Sequence, residues 1–468
     1  MQMEVIDMKK IAIIGSGPSA LFAAKTILEN SNNIKVYIFE RGKSPQNRLC
    51  NMQASSCKMC KYCSVINGGG GAGLFSDGKL VLDLTSGGIS TVIDKLPLTQ
   101  QKSIISEIKT TFKEFDGVSK FADVPSLIEQ EQYNDYLAQQ NLKIKYYPVM
   151  HMGTSNLFKI TCKFINYLLA NFHDRIVFNF ETDVTDIVKN NSEYLLVTNR
   201  GNEKFTALIA AVGKSGANWL KTTLQKFDCK FEKHNYFFGI RLETAACSIE
   251  NLLKFSLDPK VYRVINGRKV KIHCACRNGD IRLYNYNGII SVGGHSPYTE
   301  NNIEFTQMNR ANFNLLLSFN KEEIPPKKIL EQFKCIAGQR IFAQRLGDFF
   351  DNKATSEWGK IVPKNKEMIY TGNLREIMGS IDSDFSNILI DFISSISKLS
   401  IGISDRDNII YAPAIEWDMD TILVNDKMET SSRNLFAIGD GAGISQGIVY
   451  SSATGIIAGR AIASRYRI

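Results

Sequence analysis

The chain has 468 residues, of which 44% are hydrophobic and 22% charged, the composition of an ordinary globular protein with about two to four compact units. No apolar run approaches the roughly 20 residues of a membrane helix, so we expect no membrane partner. The net charge of +9, from 56 basic and 47 acidic side chains, is spread along the chain. Nucleic-acid binding is therefore not indicated, and a basic cleft for an anionic cofactor or substrate explains the charge as well.

The first ten residues, MQMEVIDMKK, contain no signal-peptide core ahead of the first predicted strand. We therefore expect a cytoplasmic protein. In that compartment the ten cysteines are expected to be thiols, metal ligands or redox groups instead of a disulfide framework.

The segment Lys9–Arg41 has the pattern of a dinucleotide-binding fingerprint, G-x-G-x-x-A. An apolar strand, Ile11–Ile14, leads into a glycine turn and then a helix, and a second apolar strand ends at an acid. A glycine turn before a helix offers free N–H groups and a partial positive charge to phosphates, and the acid can accept hydrogen bonds from ribose. The predicted cofactor-binding residues here are Gly15, Ser16, Gly17, Pro18, Ser19, Ala20, Glu40 and Arg41.

A cysteine-rich loop follows, with Arg48 placed to approach a cofactor pyrophosphate. Cys57, Cys60 and Cys63 have C-x-x-C-x-x-C spacing, and Cys50 lies just upstream. Such thiolates can converge on zinc or an iron–sulfur cluster, with Cys50 as the fourth ligand. Neighbouring lysines also favour redox thiols, and plain structural thiols are the third interpretation.

The window Ile66–Leu80 contains six glycines, which excludes a regular helix or strand interior. Consecutive backbone N–H groups in such a loop can surround a pyrophosphate or a flavin ring. The residues predicted to contact a cofactor here are Gly71, Gly73, Leu74, Ser76 and Lys79.

The stretch Gly70–Leu80, GGAGLFSDGKL, together with the N-terminal fingerprint and the cysteine segment, resembles an uncharacterised group of bacterial FAD-dependent dehydrogenases. That group belongs to the flavoprotein superfamily of glutathione reductase and p-hydroxybenzoate hydroxylase. The resemblance implies FAD at the fingerprint, with adenosine contacts from Val184, Val212, Gly213 and Ser215. No second nucleotide fingerprint follows, so a separate NADPH domain is not expected.

The C-terminal segment NLFAIGDGAGISQGIVY is predicted to be a buried strand, a glycine turn and a long helix. The resemblance implies that Asp440 accepts hydrogen bonds from the ribityl chain and that the following helix points its N-terminus at the flavin. The cofactor-binding residues predicted here are Gly439, Asp440, Gln446, Gly447 and Ile448.

The segment between these parts is the predicted substrate domain. His295, in a polar glycine loop, is a candidate proton donor or acceptor beside the flavin. Arg340 and Arg345, at helical spacing, are candidates for binding a substrate carboxylate. Cys274 and Cys276 point to one face of a predicted strand, where a disulfide between them would be strained, so we expect structural thiols.

The predicted fold is α/β, a Rossmann-type FAD-binding domain in discontinuous segments with an inserted mixed-sheet (α+β) substrate domain. The FAD-binding segments are residues 1–97, 149–226 and 412–468; a helical insertion covers 98–148 and the substrate domain 227–411.

The predicted function is an FAD-dependent oxidoreductase of the dehydrogenase or reductase type. It transfers a hydride or electron pair between a small organic substrate and a second redox partner through flavin N5. Transient NAD(P)H binding, a flavin monooxygenase using NAD(P)H and O2, and an electron-transfer or thiol-redox flavoprotein using the Cys50–Cys63 segment stay open as alternatives.

Overall fold

The computed structural model describes residues 8–50, 57–85, 92–115, 120–254, 256–295 and 309–467. Strands and helices alternate in the N-terminal part, and strands dominate the middle. In chain order the described strands are β1 (Lys9–Ile14), β2 (Ile34–Phe39), β3 (Lys79–Val81), β4 (Lys120–Ala122), β5 (Lys143–Lys145), β6 (Val149–His151), β7 (Ile176–Asn179), β8 (Val184–Asn190), β9 (Glu193–Thr198), β10 (Gly201–Phe205), β11 (Ala207–Ala210), β12 (Phe231–Glu232), β13 (Tyr236–Ala245), β14 (Lys260–Ile265), β15 (Arg268–Arg277), β16 (Asp280–Tyr286), β17 (Ile289–His295), β18 (Arg310–Phe319), β19 (Ile341–Arg345), β20 (Ile369–Tyr370), β21 (Ile409–Glu416), β22 (Thr421–Ile422) and β23 (Leu435–Ala437).

The helices are spread over the whole chain. They are α1 (Pro18–Asn30), α2 (Leu98–Phe115), α3 (Leu127–Ala138), α4 (Thr154–Asn171), α5 (Gly213–Gln225), α6 (Glu250–Leu253), α7 (Pro326–Ala337), α8 (Leu346–Phe350), α9 (Leu374–Ile381), α10 (Phe385–Ser397) and α11 (Ile448–Arg465). Within the described ranges, no helix is long and apolar enough to cross a membrane.

The chain contains a five-stranded parallel sheet of the kind that the fingerprint predicts. Its order is β23-β11-β1-β2-β7, and every neighbouring pair is parallel. Strands β11 and β23 are buried throughout, and Ile11, Ala12 and Ile13 of β1 are fully buried. Strands β2 and β7 also contain half-buried residues. The first and last strands of the chain thus belong to one sheet, with β11 between them, and the α/β Rossmann-type fold class is confirmed.

The middle of the chain forms a second, eight-stranded sheet in the order β20-β19-β21-β13-β18-β15-β14-β5. Its pairs are antiparallel except for β19 with β20. The helical spacing expected around Arg340 and Arg345 is wrong, because Ile341–Arg345 is the strand β19. Its first four residues are all buried within the sheet, an environment that favours an extended chain.

The predicted segment boundaries do not coincide with the ends of the sheets. Strand β5 belongs to the eight-stranded sheet, although it lies in the segment 98–148 predicted to be a helical insertion. Strand β21 runs across the predicted boundary at residue 411. The chain therefore crosses between the two sheets more often than the sequence pattern indicates.

Helices α1 and α11 pack closely because glycines of α11 face the backbone of α1. A Cβ at Gly455 would overlap the carbonyl oxygen of Ser19, and a Cβ at Gly459 would lie 2.7 Å from Thr26 Cβ. Neither helix has room to move away, since both cover the parallel sheet and belong to one hydrophobic core. This contact fixes the N-terminus of each helix relative to the other.

We expect Gly455→Ala to destabilise the protein by about 2 kcal/mol or more, because the added methyl group must push the two helices apart. Gly379→Ala is the matched control, since Gly379 lies in α9 with no atom within 4 Å of an added Cβ. That control should be neutral or stabilising by up to about 1 kcal/mol. Urea unfolding of both variants measures the difference, and equal effects would contradict the packing account.

Candidate functional site

A cavity of about 630 Å³ lies where the carboxyl ends of the parallel strands face the second sheet and the β16–β17 hairpin. Ligands of open α/β sheets bind at this edge. Nineteen of the residues predicted to bind a cofactor line the cavity: Gly15, Ser16, Gly17, Pro18, Ser19, Glu40, Arg41, Gly71, Gly73, Ser76, Lys79, Val184, Val212, Gly213, Ser215, Asp440, Gln446, Gly447 and Ile448. Four do not line it: Ala20, Arg48, Leu74 and Gly439.

The N-terminal glycine turn is shaped by two different steric demands. Gly15 has φ of +107°, and a Cβ there would overlap the carbonyl oxygen of Ala211. Gly17 is the N-cap of α1 and has only one atom, Gly71 Cα at 3.7 Å, near the position of an added Cβ. Gly15 is therefore needed for the close contact with the backbone at Ala211. Gly17 instead keeps the cavity open at the N-terminus of α1, where anions bind favourably.

The glycine-rich loop approaches this turn backbone to backbone. A Cβ on Gly71, whose φ is +65°, would lie 3.0 Å from Gly17 Cα. Neither glycine has a side chain at this contact, although Pro18 Cδ lies 3.6 Å from the position of a Cβ at Gly71. Gly213 and Gly447 also line the cavity, and an added Cβ at either position would enter open space.

Arg48 lies under the glycine-rich loop and does not reach the cavity. Its guanidinium donates to five backbone carbonyls, those of Ser64, Val65, Gly68, Gly69 and Gly71, over 2.7 to 3.3 Å. The side chain is 3% exposed, and burial lowers its pKa to about 10. The structure thus places Arg48 as the support of the loop instead of at the pyrophosphate position expected from the sequence.

Glu40 joins the N-terminal turn to the same loop. Its Oε2 accepts from the backbone N–H and the hydroxyl of Ser16, at 3.1 and 2.7 Å. Its Oε1 accepts from the N–H groups of Gly42 and Gly68, at 2.8 and 3.1 Å. The carboxylate lines the cavity as predicted, but its acceptor sites are already filled by the protein.

The predicted adenosine end is lined by polar and aromatic side chains. The Arg41 guanidinium donates to Asn67 and Ser215 side chains, each at 2.8 Å, and lies 5.0 Å from the centre of the Tyr62 ring. The Tyr62 hydroxyl donates to Asp183. Stacking on such aromatic and guanidinium planes suits a nucleobase.

The C-terminal turn places a carboxylic acid on the opposite part of the cavity wall. The Asp440 carboxyl accepts from the Ser445 hydroxyl at 2.7 Å and lies just before the N-terminus of α11. Burial raises the pKa of Asp440 to about 6, although hydrogen bonds from Ser445 and the Gly447 N–H oppose the shift. Gly439, with φ of +72°, lies against the Ser19 side chain and supports the turn from behind.

The three predicted catalytic residues lie outside the cavity lining. His295 ends β17, is 6% exposed, and has Nε2 3.5 Å from the Arg282 guanidinium. Burial and Arg282 lower its pKa to about 4, so the ring is neutral near pH 7. Arg340 is exposed over the Tyr370 ring, and Arg345 pairs with Asp348 and Asp407.

The cysteine segment lies beside the second sheet. Cys50 and Cys57 pack against a hydrophobic cluster, the Cys57 N–H points at Met368 Sδ, Cys60 is exposed and Cys63 is buried. Burial raises the pKa of Cys57 and of Cys63. Among the described residues, three potential metal-ligand atoms come within 4.8 Å of one another only at Asp77, Cys274 and Cys276. No three of the described Cys50–Cys63 sulfurs come that close together, and the metal or cluster site there stays a prediction.

Several residues that line the cavity were not predicted to reach it. They come from the second sheet and its hairpin and include Cys274, Arg282, Tyr284, Tyr286 and Glu416. The Gln446 side-chain amide donates to Glu416, and burial raises the pKa of this carboxyl. Their only signal is their position near the ends of strands that face the nucleotide-binding edge.

No protein-family model matches this chain. An uncharacterized protein from Clostridium beijerinckii is 22% identical over 478 residues, which is 95% of this chain and 79% of that protein. Among solved structures, the chain is similar to CtdE in complex with FAD, with 11% identity, a TM-score of 0.40, and coverage of 98% of this chain and 84% of that one.

Two further solved structures have similar scores. Glycine oxidase from Geobacillus kaustophilus has 12% identity and a TM-score of 0.40, over 98% of this chain and 96% of that one. The structure of 2,6-dihydroxypyridine-3-hydroxylase from Arthrobacter nicotinovorans has 10% identity and a TM-score of 0.42, over 98% of this chain and 83% of that one.

We expect Arg48→Met to destabilise the empty protein by about 3 kcal/mol or more, because five buried carbonyls lose a charged donor together. Arg41→Met is the matched control, since its guanidinium bonds to side chains at the cavity wall. The control should lose about 1 kcal/mol or less and instead weaken nucleotide binding. Urea unfolding separates the two, and equal losses would contradict the support role of Arg48.

Proposed function

We propose that this chain is an FAD-dependent oxidoreductase and that FAD occupies the cavity. The observation that carries the proposal is the side-chain-free approach of Gly17 and Gly71 at the N-terminus of α1. Such an approach suits a pyrophosphate, which needs backbone N–H donors at close range and no Cβ in the way. The same cavity continues to Asp440 and to the N-terminus of α11.

The two ends of the cavity suit the two ends of FAD. The adenosine half would meet Arg41, Tyr62, Val184 and Ser215, and the ribityl hydroxyls would donate to Asp440. The α11 N-terminus would face the N1–C2=O side of the ring, where negative charge accumulates on reduction. When bound, the flavin supplies the redox chemistry by accepting or donating an electron pair.

The protein's own groups around the proposed ring position can bind, orient and exchange protons. Glu416 is buried with a raised pKa, so it can hold or release a proton at the cavity wall. Arg282 and Tyr284 line the same region and can orient a small organic substrate, including an anionic one. We favour a dehydrogenase or reductase, with NAD(P)H, O2 or another redox compound as the second partner.

The purified protein should be yellow, and one flavin per chain should be released on unfolding. Anaerobic addition of NADH and then NADPH, followed by absorbance, tests the reaction type. Reduction without oxygen supports a reductase or dehydrogenase. A protein that consumes NADPH rapidly only with oxygen and substrate, and inserts oxygen into the product, would be a monooxygenase instead. A colourless protein that binds no added FAD would contradict the proposal.

Asp440 predicts a pH dependence of cofactor binding. Because the pKa of this buried acid is about 6, the folded empty protein keeps a proton that the unfolded chain loses near pH 4. Asp440 therefore adds to the free energy of unfolding of the empty protein at low pH, and this contribution is lost as the pH rises through about 6. Ribityl hydroxyls favour the carboxylate, so cofactor binding should release this proton.

The affinity for FAD should consequently rise about tenfold between about pH 5 and 7, as measured by fluorescence titration of the empty protein. Asp440→Asn should bind FAD more weakly and lose that rise, since the amide does not titrate. Ser431→Ala, on an exposed loop, is the control and should keep the wild-type profile. A variant profile as steep as the wild type would place the titrating group elsewhere.

A further inference from the structure

Two thiols form a buried cluster at the cavity wall, around Asp77. The Sγ atoms of Cys274 and Cys276 and a carboxylate oxygen of Asp77 all lie within 4.8 Å of one another. Cys276 Sγ is 3.2 Å from Asp77 Oδ2 and is fully buried. Cys274 and Asp77 line the cavity, so one thiol faces the cavity and the other lies behind it.

The backbone at this cluster is not a regular strand. The pairing of β15 with β18 shifts between His273 and Cys276, which leaves one extra residue in β15. Cys274 has φ of +54°, in the left-handed region that a non-glycine residue adopts rarely. The bulge interrupts the regular strand for which a strained disulfide is expected, and the two sulfurs lie within 4.8 Å of each other.

A buried cation lies directly against the pair. Arg241 is 1% exposed and donates to the side-chain oxygens of Asn312 and Asn314, each at 2.8 Å, and to the Cys274 carbonyl. Its Nη2 is also 3.4 Å from Cys276 Sγ. No carboxylate within the described ranges pairs with Arg241. The hydrogen-bond partners of this buried cation are neutral, so an anion nearby stabilises it. Both the Cys276 sulfur and the Asp77 carboxylate next to it can supply that charge.

The same cations argue against a metal ion at the three ligand atoms. Lys79 Nζ is 2.9 Å from Asp77 Oδ2, so the carboxylate already has a counter-ion. A divalent ion would lie between Lys79 and Arg241, two buried positive charges. The arrangement stabilises a thiolate and a thiol that share one proton. In agreement, the hydrogen bond from Cys276 lowers the pKa of Cys274.

We propose that Cys274 and Cys276 are a redox pair that cycles between a dithiol and a disulfide and exchanges an electron pair with the cofactor in the cavity. This rests on the function proposed above. In the oxidative direction the Cys274 thiolate and the Cys276 thiol form one S–S bond and release one proton and two electrons. Oxidised FAD would accept the two electrons together with the proton that Cys276 releases, because Lys79 holds Asp77 as a carboxylate.

The proposal specifies the class of the second redox partner. A thiol or disulfide compound entering the cavity would meet Cys274 first, and Cys276 is positioned to resolve the mixed disulfide. When an external disulfide oxidises the Cys274–Cys276 dithiol, the protein disulfide forms, the compound is reduced to two thiols, and FAD takes no part. In the direction of FAD reduction, an external dithiol supplies the two electrons and two protons and leaves as its disulfide.

The test measures both the sulfurs and the flavin. After air oxidation, the wild-type protein is alkylated, digested and analysed by mass spectrometry, and we expect a Cys274–Cys276 disulfide that disappears after reduction. Under anaerobic conditions dithiothreitol should then reduce the bound flavin at least tenfold faster than it reduces the flavin of Cys274→Ser or Cys276→Ser. Cys335→Ser, at an exposed position of α7, is the control and should behave as the wild type.

The outcomes separate this proposal from the proposed function. A yellow protein reduced by NAD(P)H or dithionite, in which both cysteines stay alkylable after oxidation and both serine variants react like the wild type, would overturn the redox pair alone. A protein without flavin would contradict the proposed function. In that case oxidation of the empty protein by glutathione disulfide still tests whether the Cys274–Cys276 bond forms.

Discussion

The site depends on the support that Arg48 gives to the glycine-rich loop. A loop of glycines has no side chains of its own to hold it in place, and its conformational entropy favours disorder. Five hydrogen bonds from one buried guanidinium fix three carbonyls of the loop and those of Ser64 and Val65 just before it. With those carbonyls held from within, Gly71 can stay in contact with Gly17 and the cavity keeps an edge made of main chain.

The fixed loop also explains why both ends of the chain are needed. Glu40 ties the loop to the N-terminal turn through Ser16 and Gly68. Because α1 packs closely on α11, the position of that turn also fixes the position of the C-terminal helix. The N-terminus of this helix reaches the cavity beside Asp440. Displacing one of these contacts would move both helix N-termini together, and these are the parts proposed to face the two anionic or polar centres of the cofactor.

Sequence reasoning succeeds here where the signal is local. The strand, glycine turn, helix and acid of the fingerprint are contiguous, and so are the strand, turn and helix at the C-terminus, which is why the parallel sheet could be predicted. Arg48 could not be placed, because its acceptors are backbone carbonyls that carry no residue-specific signature. Strand β18 has only a weak strand signal, because the buried Asn312 and Asn314 interrupt its apolar residues; both side chains accept hydrogen bonds from Arg241. Arg340 precedes and Arg345 ends a five-residue strand, which is too short for its period to be distinguished from that of a helix.

We propose that FAD lies in this cavity with its pyrophosphate against the backbone edge that Gly17 and Gly71 form together. A crystal structure of the protein purified with its chromophore tests it most directly. We expect phosphate density within hydrogen-bonding distance of the backbone N–H groups at the start of α1, ribityl density at Asp440, and the ring beside Cys274 and the α11 N-terminus. Density for the chromophore outside this cavity, or a flavin ring placed away from the N-terminus of α11, would contradict the proposed binding mode.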